Sequence, residues 1–143
     1  MYYKSSSTDG GNNSMTKVWT NGCFDILHRG HIEMFKYAKS LGDKLIVGVD
    51  SDEKVKLDKG DDRPINYIGD RIEMLKAIKY IDEVVWFIST DHLRNTIAKH
   101  KPDIMVIGSD WKGKPVIGEE HAKELVFFDR VGDYSTTNIL ENK

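Results

Sequence analysis

Residues 21–31 read NGCFDILHRGH. Two histidines, His28 and His31, stand around Gly30 where a strand-like apolar run gives way to a helical period. On the first turn of a helix, side chains at this spacing face the same way. That end of a helix carries unpaired N–H groups and partial positive charge, which together draw phosphate. Gly30 lets a ligand come close to the backbone. Two imidazoles beside such a site can hold a polyphosphate and follow the charge that develops in phosphoryl or nucleotidyl transfer. The plainer alternative is a pair of histidines that caps a helix. Zinc has little support, because no third and fourth ligand follows at a suitable spacing.

Three other stretches carry polar chemistry. Residues 50–66, DSDEKVKLDKGDDRPIN, form a long polar connection. Its Lys54, Lys56, Lys59 and Arg63 can close over phosphates as a loop. Balanced by Asp52, Glu53, Asp58, Asp61 and Asp62, they are equally a solvated charge run. Arg71, on the helix that follows, would point back to the same mouth. In GSDWKGK, residues 108–114, Trp111 can stack on a base or sugar, or simply anchor a surface loop. Asp110 beside it can accept hydrogen bonds from a hydroxylated substrate. In RVGDYSTTN, residues 130–138, Ser135, Thr136 and Thr137 stand at a helix start, where hydroxyls cap the helix or bind a second phosphate group.

The elements that must position these residues alternate regularly. Strands are expected at 18–20, 45–49, 84–87, 104–107 and 125–128. Helices are expected at 30–41, stopped by Gly42, at 67–80, and at 91–100 with a cap at Thr90 or Asp91. A last short helix starts near Ser135 or Thr136 and runs to Asn142. The run LIVGV at 45–49 is apolar throughout, as for a strand buried on both faces. Strands alternating with helices imply right-handed βαβ crossovers. The expected fold is a single-domain, doubly wound, Rossmann-like α/β fold: a parallel five-stranded sheet with helices on both faces. In such sheets ligands bind beyond the carboxyl ends of the strands, which is where the four loops fall.

The chain has 143 residues, room for one well-cored domain. At 39% hydrophobic and 31% charged it suits a globular domain rather than a disordered one. A net charge of −2 gives no sign of nucleic-acid binding. No apolar run is long enough for a membrane helix. A single cysteine, Cys23, rules out a disulfide within the chain and suits a cytoplasmic setting. Residues 1–15 are rich in Ser, Gly and Asn and read as a disordered leader or an expression remnant, with the domain over 16–143.

GCFDILHRGH resembles the GxFDxxHxGH signature of the small nucleotidyltransferases related to glycerol-3-phosphate cytidylyltransferase. That group includes the nucleotidyltransferase domain of the bifunctional heptose-phosphate enzyme and an archaeal FAD synthetase. RVGDYSTTNIL resembles the second signature, R-x-x-x-x-STT and a short helix. The resemblance implies attack of a substrate phosphate on the α-phosphorus of an NTP, with release of pyrophosphate and no covalent enzyme intermediate. It implies that His28 and His31 contact the triphosphate and stabilise the transition state. Lys56 or Lys59 would reach the phosphates, and Arg130, Ser135, Thr136 and Thr137 would bind the β- and γ-phosphates. Thr20, Gly22 and Phe24 would line the nucleotide cleft, with Asp25 on the substrate side. Mg²⁺ would be held mainly by the nucleotide phosphates, and a homodimer is expected.

The acceptor is signalled in two ways. GSDWKGK resembles the GDDWEGK stretch of glycerol-3-phosphate cytidylyltransferases, so CTP with a small polyol or sugar phosphate is the first expectation. KGDDRPIN followed by Arg71 resembles the KGDSRPVN…R stretch of the heptose-phosphate adenylyltransferase domain, so ATP with heptose 1-phosphate is the alternative. From other classes come a nucleotide-binding regulatory module without catalysis, and a fragment that docks a partner through Trp86 and Phe87.

Overall fold

The computed structural model describes residues 15–129. Its elements run β1 (Lys17–Gly22), α1 (Arg29–Ser40), β2 (Lys44–Asp50), α2 (Asp52–Lys59), α3 (Ile68–Lys76), β3 (Glu83–Phe87), α4 (Thr90–His100), β4 (Ile104–Gly108) and β5 (Glu124–Phe128). The strands form one sheet in the order β3-β2-β1-β4-β5, and every neighbouring pair is parallel. The order reverses between β1 and β4, so the loops after these two strands flank the switch-point crevice.

Side-chain alternation along the strands divides the core. Val18, Leu45, Val47 and Val49 face Phe35 and Ala38 of α1 and Leu75 of α3. Trp19 and Ile46 point the other way, to Leu93 and Ile97 of α4. Helices therefore cover both faces, as the pattern of the sequence implies. Gly48, in the middle of β2, makes room on the α4 side. A Cβ there would lie 2.7 Å from the Trp19 ring and 3.0 Å from that of Phe87. Both rings are fully buried. Gly48→Ala is expected to destabilise the protein by about 1–3 kcal/mol, read from urea unfolding, because neither ring has space to retreat. An unchanged midpoint would show that the packing around Trp19 is loose.

The structure departs from the sequence expectations at four places. Residues 50–66 are not a continuous loop but contain α2, capped by Ser51, whose hydroxyl accepts from the Lys54 N–H. Helix α3 ends at Lys76, short of residue 80, and a turn carries the chain to β3. The cap of α4 is Ser89, not Thr90 or Asp91; its hydroxyl accepts from the His92 N–H. Phe87 is fully buried while Trp86, its neighbour on edge strand β3, is 52% exposed, so the two do not share a docking face. The expected final helix lies outside the described residues. Among the described residues no helix is long and apolar enough to cross a membrane.

Candidate active site

Helix α1 opens on the two histidines, and they cap it reciprocally. The Gly30 N–H donates to His28 Nδ1 at 3.0 Å. The His28 N–H donates to His31 Nδ1 at 3.2 Å. This is a capping box in which imidazoles replace the usual hydroxyl and carboxylate. The two rings lie 3.9 Å apart between centroids, tilted by 32°.

The cap has a chemical consequence. A ring nitrogen that accepts a backbone N–H carries no proton, so each neutral ring keeps its proton on Nε2. Burial, then the neighbouring His28, lowers the His31 pKa from 6.5 to about 4. The cradle therefore carries its ring protons on Nε2, and the His31 ring is uncharged at neutral pH. Such groups can donate to a phosphate oxygen that gains charge, without a proton leaving the protein. Of the two roles that the sequence sets as alternatives, the capping one is made by Nδ1 of both rings, so a chemical one would fall to Nε2.

The turn that delivers His28 is held by unusual backbone. Phe24 has φ 50, in the left-handed region that a bulky residue rarely enters. Its buried ring packs edge-on to His31 at 5.5 Å and against Phe35 at 5.3 Å. Gly22 leaves room for that ring, since a Cβ there would lie 3.1 Å from it. Phe24 thus backs His31 from the core. Thr20, also expected at the nucleotide cleft, is buried within β1.

Asp25 and Arg71 do not occupy the positions expected of ligand-binding groups. The Asp25 carboxylate is buried and accepts from Arg63 Nε at 2.9 Å and from the N–H groups of Ile65 and Asn66 at 2.7 Å each. Asn66 Nδ2 donates back to the Asp25 carbonyl. Burial pushes the Asp25 pKa up, but the bonds from Asn66, Ile65 and Arg63 outweigh it and hold it below 3.8. Both carboxylate oxygens are thus committed to the 63–66 loop rather than turned towards a substrate. Arg71 is 1% exposed, not at the mouth. It donates to the carbonyls of Cys23, Asp50 and Asn66 at 2.8, 2.8 and 2.9 Å, and to the Asp52 carboxylate at 2.6 Å. Sequence reading passed over Asn66 and Asp52 as partners, since contacts made across folded loops leave no periodic signal.

Lys56 and Lys59 lie on the last turn of α2, both exposed. The Lys59 charge is felt at Cys23 and Asp50, where burial raises both pKa values and Lys59 works against it. Lys59 is thus within electrostatic reach of the ends of β1 and β2. Lys54 is spent on Asp58 at 2.7 Å. Asp110 and Trp111 sit in a short turn after β4, with Trp111 46% exposed and Lys114 Nζ 5.9 Å from its ring centroid. Arg130, Ser135, Thr136 and Thr137 lie outside the described residues.

The cytidylyltransferase-like family model matches residues 19–141. The bifunctional protein HldE of Campylobacter fetus is 50% identical over 125 residues, which is 87% of this chain and 27% of that protein. HldE of Nitratiruptor is 52% identical over 124 residues, again 87% of this chain and 27% of its own length. The chain thus spans about a quarter of the curated relatives it matches. Among solved structures, a lipopolysaccharide core biosynthesis protein from Thermoplasma volcanium has a TM-score of 0.65 at 30% identity, covering 85% of this chain and all of its own. The family model spans most of the chain, the histidine pair included, and the chain is a nucleotidyltransferase domain of the cytidylyltransferase-like family.

Proposed function

We propose that the domain transfers an adenylyl group from ATP to heptose 1-phosphate or a similar sugar phosphate and releases pyrophosphate. The observation that carries nucleotidyl transfer is the imidazole capping box, which commits Nδ1 of both rings to the backbone at a helix N-terminus and leaves the ring proton on Nε2. The choice of ATP and a heptose phosphate rests on the HldE relatives and on the likeness of KGDDRPIN and Arg71 to the heptose-phosphate domain. It displaces CTP with glycerol 3-phosphate as the better supported pair. GSDWKGK, with its half-exposed Trp111, favours that second reading.

In the reaction, an oxygen of the acceptor phosphate attacks the α-phosphorus in line, and the bond to the β-phosphate oxygen breaks. Pyrophosphate leaves with the electron pair. The protein contributes position and charge stabilisation. His28 and His31 donate to the α-phosphate as charge grows on it, and Lys59 approaches from α2. Arg130, Ser135, Thr136 and Thr137 would hold the leaving phosphates. The cradle itself is made of N–H donors, which suit anions and not Mg²⁺, and the Asp25 oxygens are occupied. Mg²⁺ belongs to this proposal only as a companion of the nucleotide phosphates, and no step is assigned to it. A homodimer is part of the same proposal.

The test is pyrophosphate release with ATP, CTP, GTP and UTP, each against heptose 1-phosphate, glycerol 3-phosphate and other sugar phosphates. Release with ATP and heptose 1-phosphate is expected. Release with CTP and glycerol 3-phosphate alone would overturn the choice of substrates but keep the reaction. Nucleotide binding without release from any pair would favour a regulatory module.

A further inference from the structure

Arg71 is a buried cation whose partners come from four different segments. Cys23 immediately follows β1, and Asp50 is the last residue of β2. Asp52 opens α2, and Asn66 ends the loop that Asp25 holds from its other side. Burying a guanidinium is costly unless its N–H groups are matched. Here four bonds of 2.6–2.9 Å match four of its five N–H groups. Little of it remains to meet a phosphate.

We infer that Arg71, through Asp52, is a positioning residue that fixes the lysine-bearing helix α2 against the turn that delivers His28 and His31. The inference rests on nucleotidyl transfer as the reaction. Its logic is geometric. Cys23 leads through Phe24 and Asp25 into the imidazole cradle, while Asp52 is the root of α2. Lys59 lies two turns beyond Asp52, about 10 Å along the axis. One side chain thus sets the spacing between groups that must converge on the same triphosphate. A displacement of about 1 Å between reacting groups can cost about 100-fold in rate. The salt bridge to Asp52, 22% exposed on the acid's side, is the part of this network open to a gentle change.

Asp52→Asn carries the test, because it removes one charge and leaves the three carbonyl bonds of Arg71 in place. It is expected to lower kcat about tenfold, while KM for the nucleotide changes by less than about threefold. Arg71→Lys should fall further, and the double variant should be no worse than Arg71→Lys alone. A readout independent of turnover is the ¹⁵N spectrum of the histidine rings. The wild type should give Nε2–H signals for His28 and His31, and Asp52→Asn should shift them. Wild-type kcat, KM and ring signals in Asp52→Asn would overturn the inference. So would a loss of calorimetric ATP affinity with unmoved ring signals, which would make Arg71 a nucleotide ligand released from its tether. If the wild type transfers nothing from any nucleotide, the proposed function falls, and the ring signals still decide whether Arg71 sets the cradle.

Discussion

Replacing His31 with alanine is expected to lower kcat by about 100- to 1,000-fold, the usual loss when one preorganised donor to a developing oxyanion is removed. Nucleotide affinity should fall much less, because the Nε2–H bond strengthens as charge builds on the α-phosphate. The variant also deletes half of the capping box. That loss is worth about 1 kcal/mol of stability, against the roughly 3–4 kcal/mol that the expected fall in kcat represents. His31→Glu separates the two roles. A glutamate at this position of a helix can still accept the His28 N–H, as in an ordinary capping box. It brings a negative charge and no donor to the phosphate. The variant should therefore keep the cap, lose the ring contact with Phe24, and show no transfer. Equal losses of kcat and affinity in His31→Ala would reduce His31 to a binder of the ground state. Activity in His31→Glu would remove the imidazole from the reaction.

The residues that could be read from sequence are those whose physics is local. The βα alternation, the all-apolar LIVGV run and the spacing of His28 and His31 each depend on near neighbours, and each is present in the fold. Helix α2 was missed because only Val55 of its eight residues is buried. Its signals were polar ones: a Ser51 cap, acids in the first turn, lysines in the last, and the Asp50–Lys54–Asp58 ladder. Taken as charge alone, they resemble a solvated run. Trp86 and Phe87 could not be told apart without knowing which face of edge strand β3 meets α4. Asp25 and Arg71 read from the sequence as ligand-binding groups, and the structure places both in buried hydrogen-bond networks. A charged residue near a phosphate motif reads as a ligand, whereas the partners that bury these two lie 5 to 48 residues away and leave no periodic signal.

Asp25→Asn is expected to cost about 2–4 kcal/mol, because it leaves the Arg63 guanidinium and two loop N–H groups facing a ligand that is neutral and half donor. Arg63 is 18% exposed, so water recovers part of the loss. The effect also has a pH signature. Asp25 has a folded pKa below its ordinary 3.8, so the unfolded chain takes up its proton first as acid is added. Its contribution is complete well above pH 3.8 and is lost as the pH falls through the lower, folded value. His31 acts in a separate window. It is held neutral with a folded pKa of about 4, so stability declines as the pH falls from 6.5 towards 4 and then levels. Urea unfolding across pH 2–7 should therefore show both declines in the wild type. Asp25→Asn should keep the upper one and make the lower one shallower. Asp103 and Glu83 are also held low, by Lys17 N–H and Lys123 in the first case and chiefly by Lys44 in the second. The difference between the two proteins, rather than the wild-type slope, isolates Asp25. If that difference is the same at pH 3 as at pH 6, Asp25 is not the acid-sensitive brace of the 63–66 loop. If it shrinks towards acid, the Asp25 carboxylate secures the loop behind the cradle.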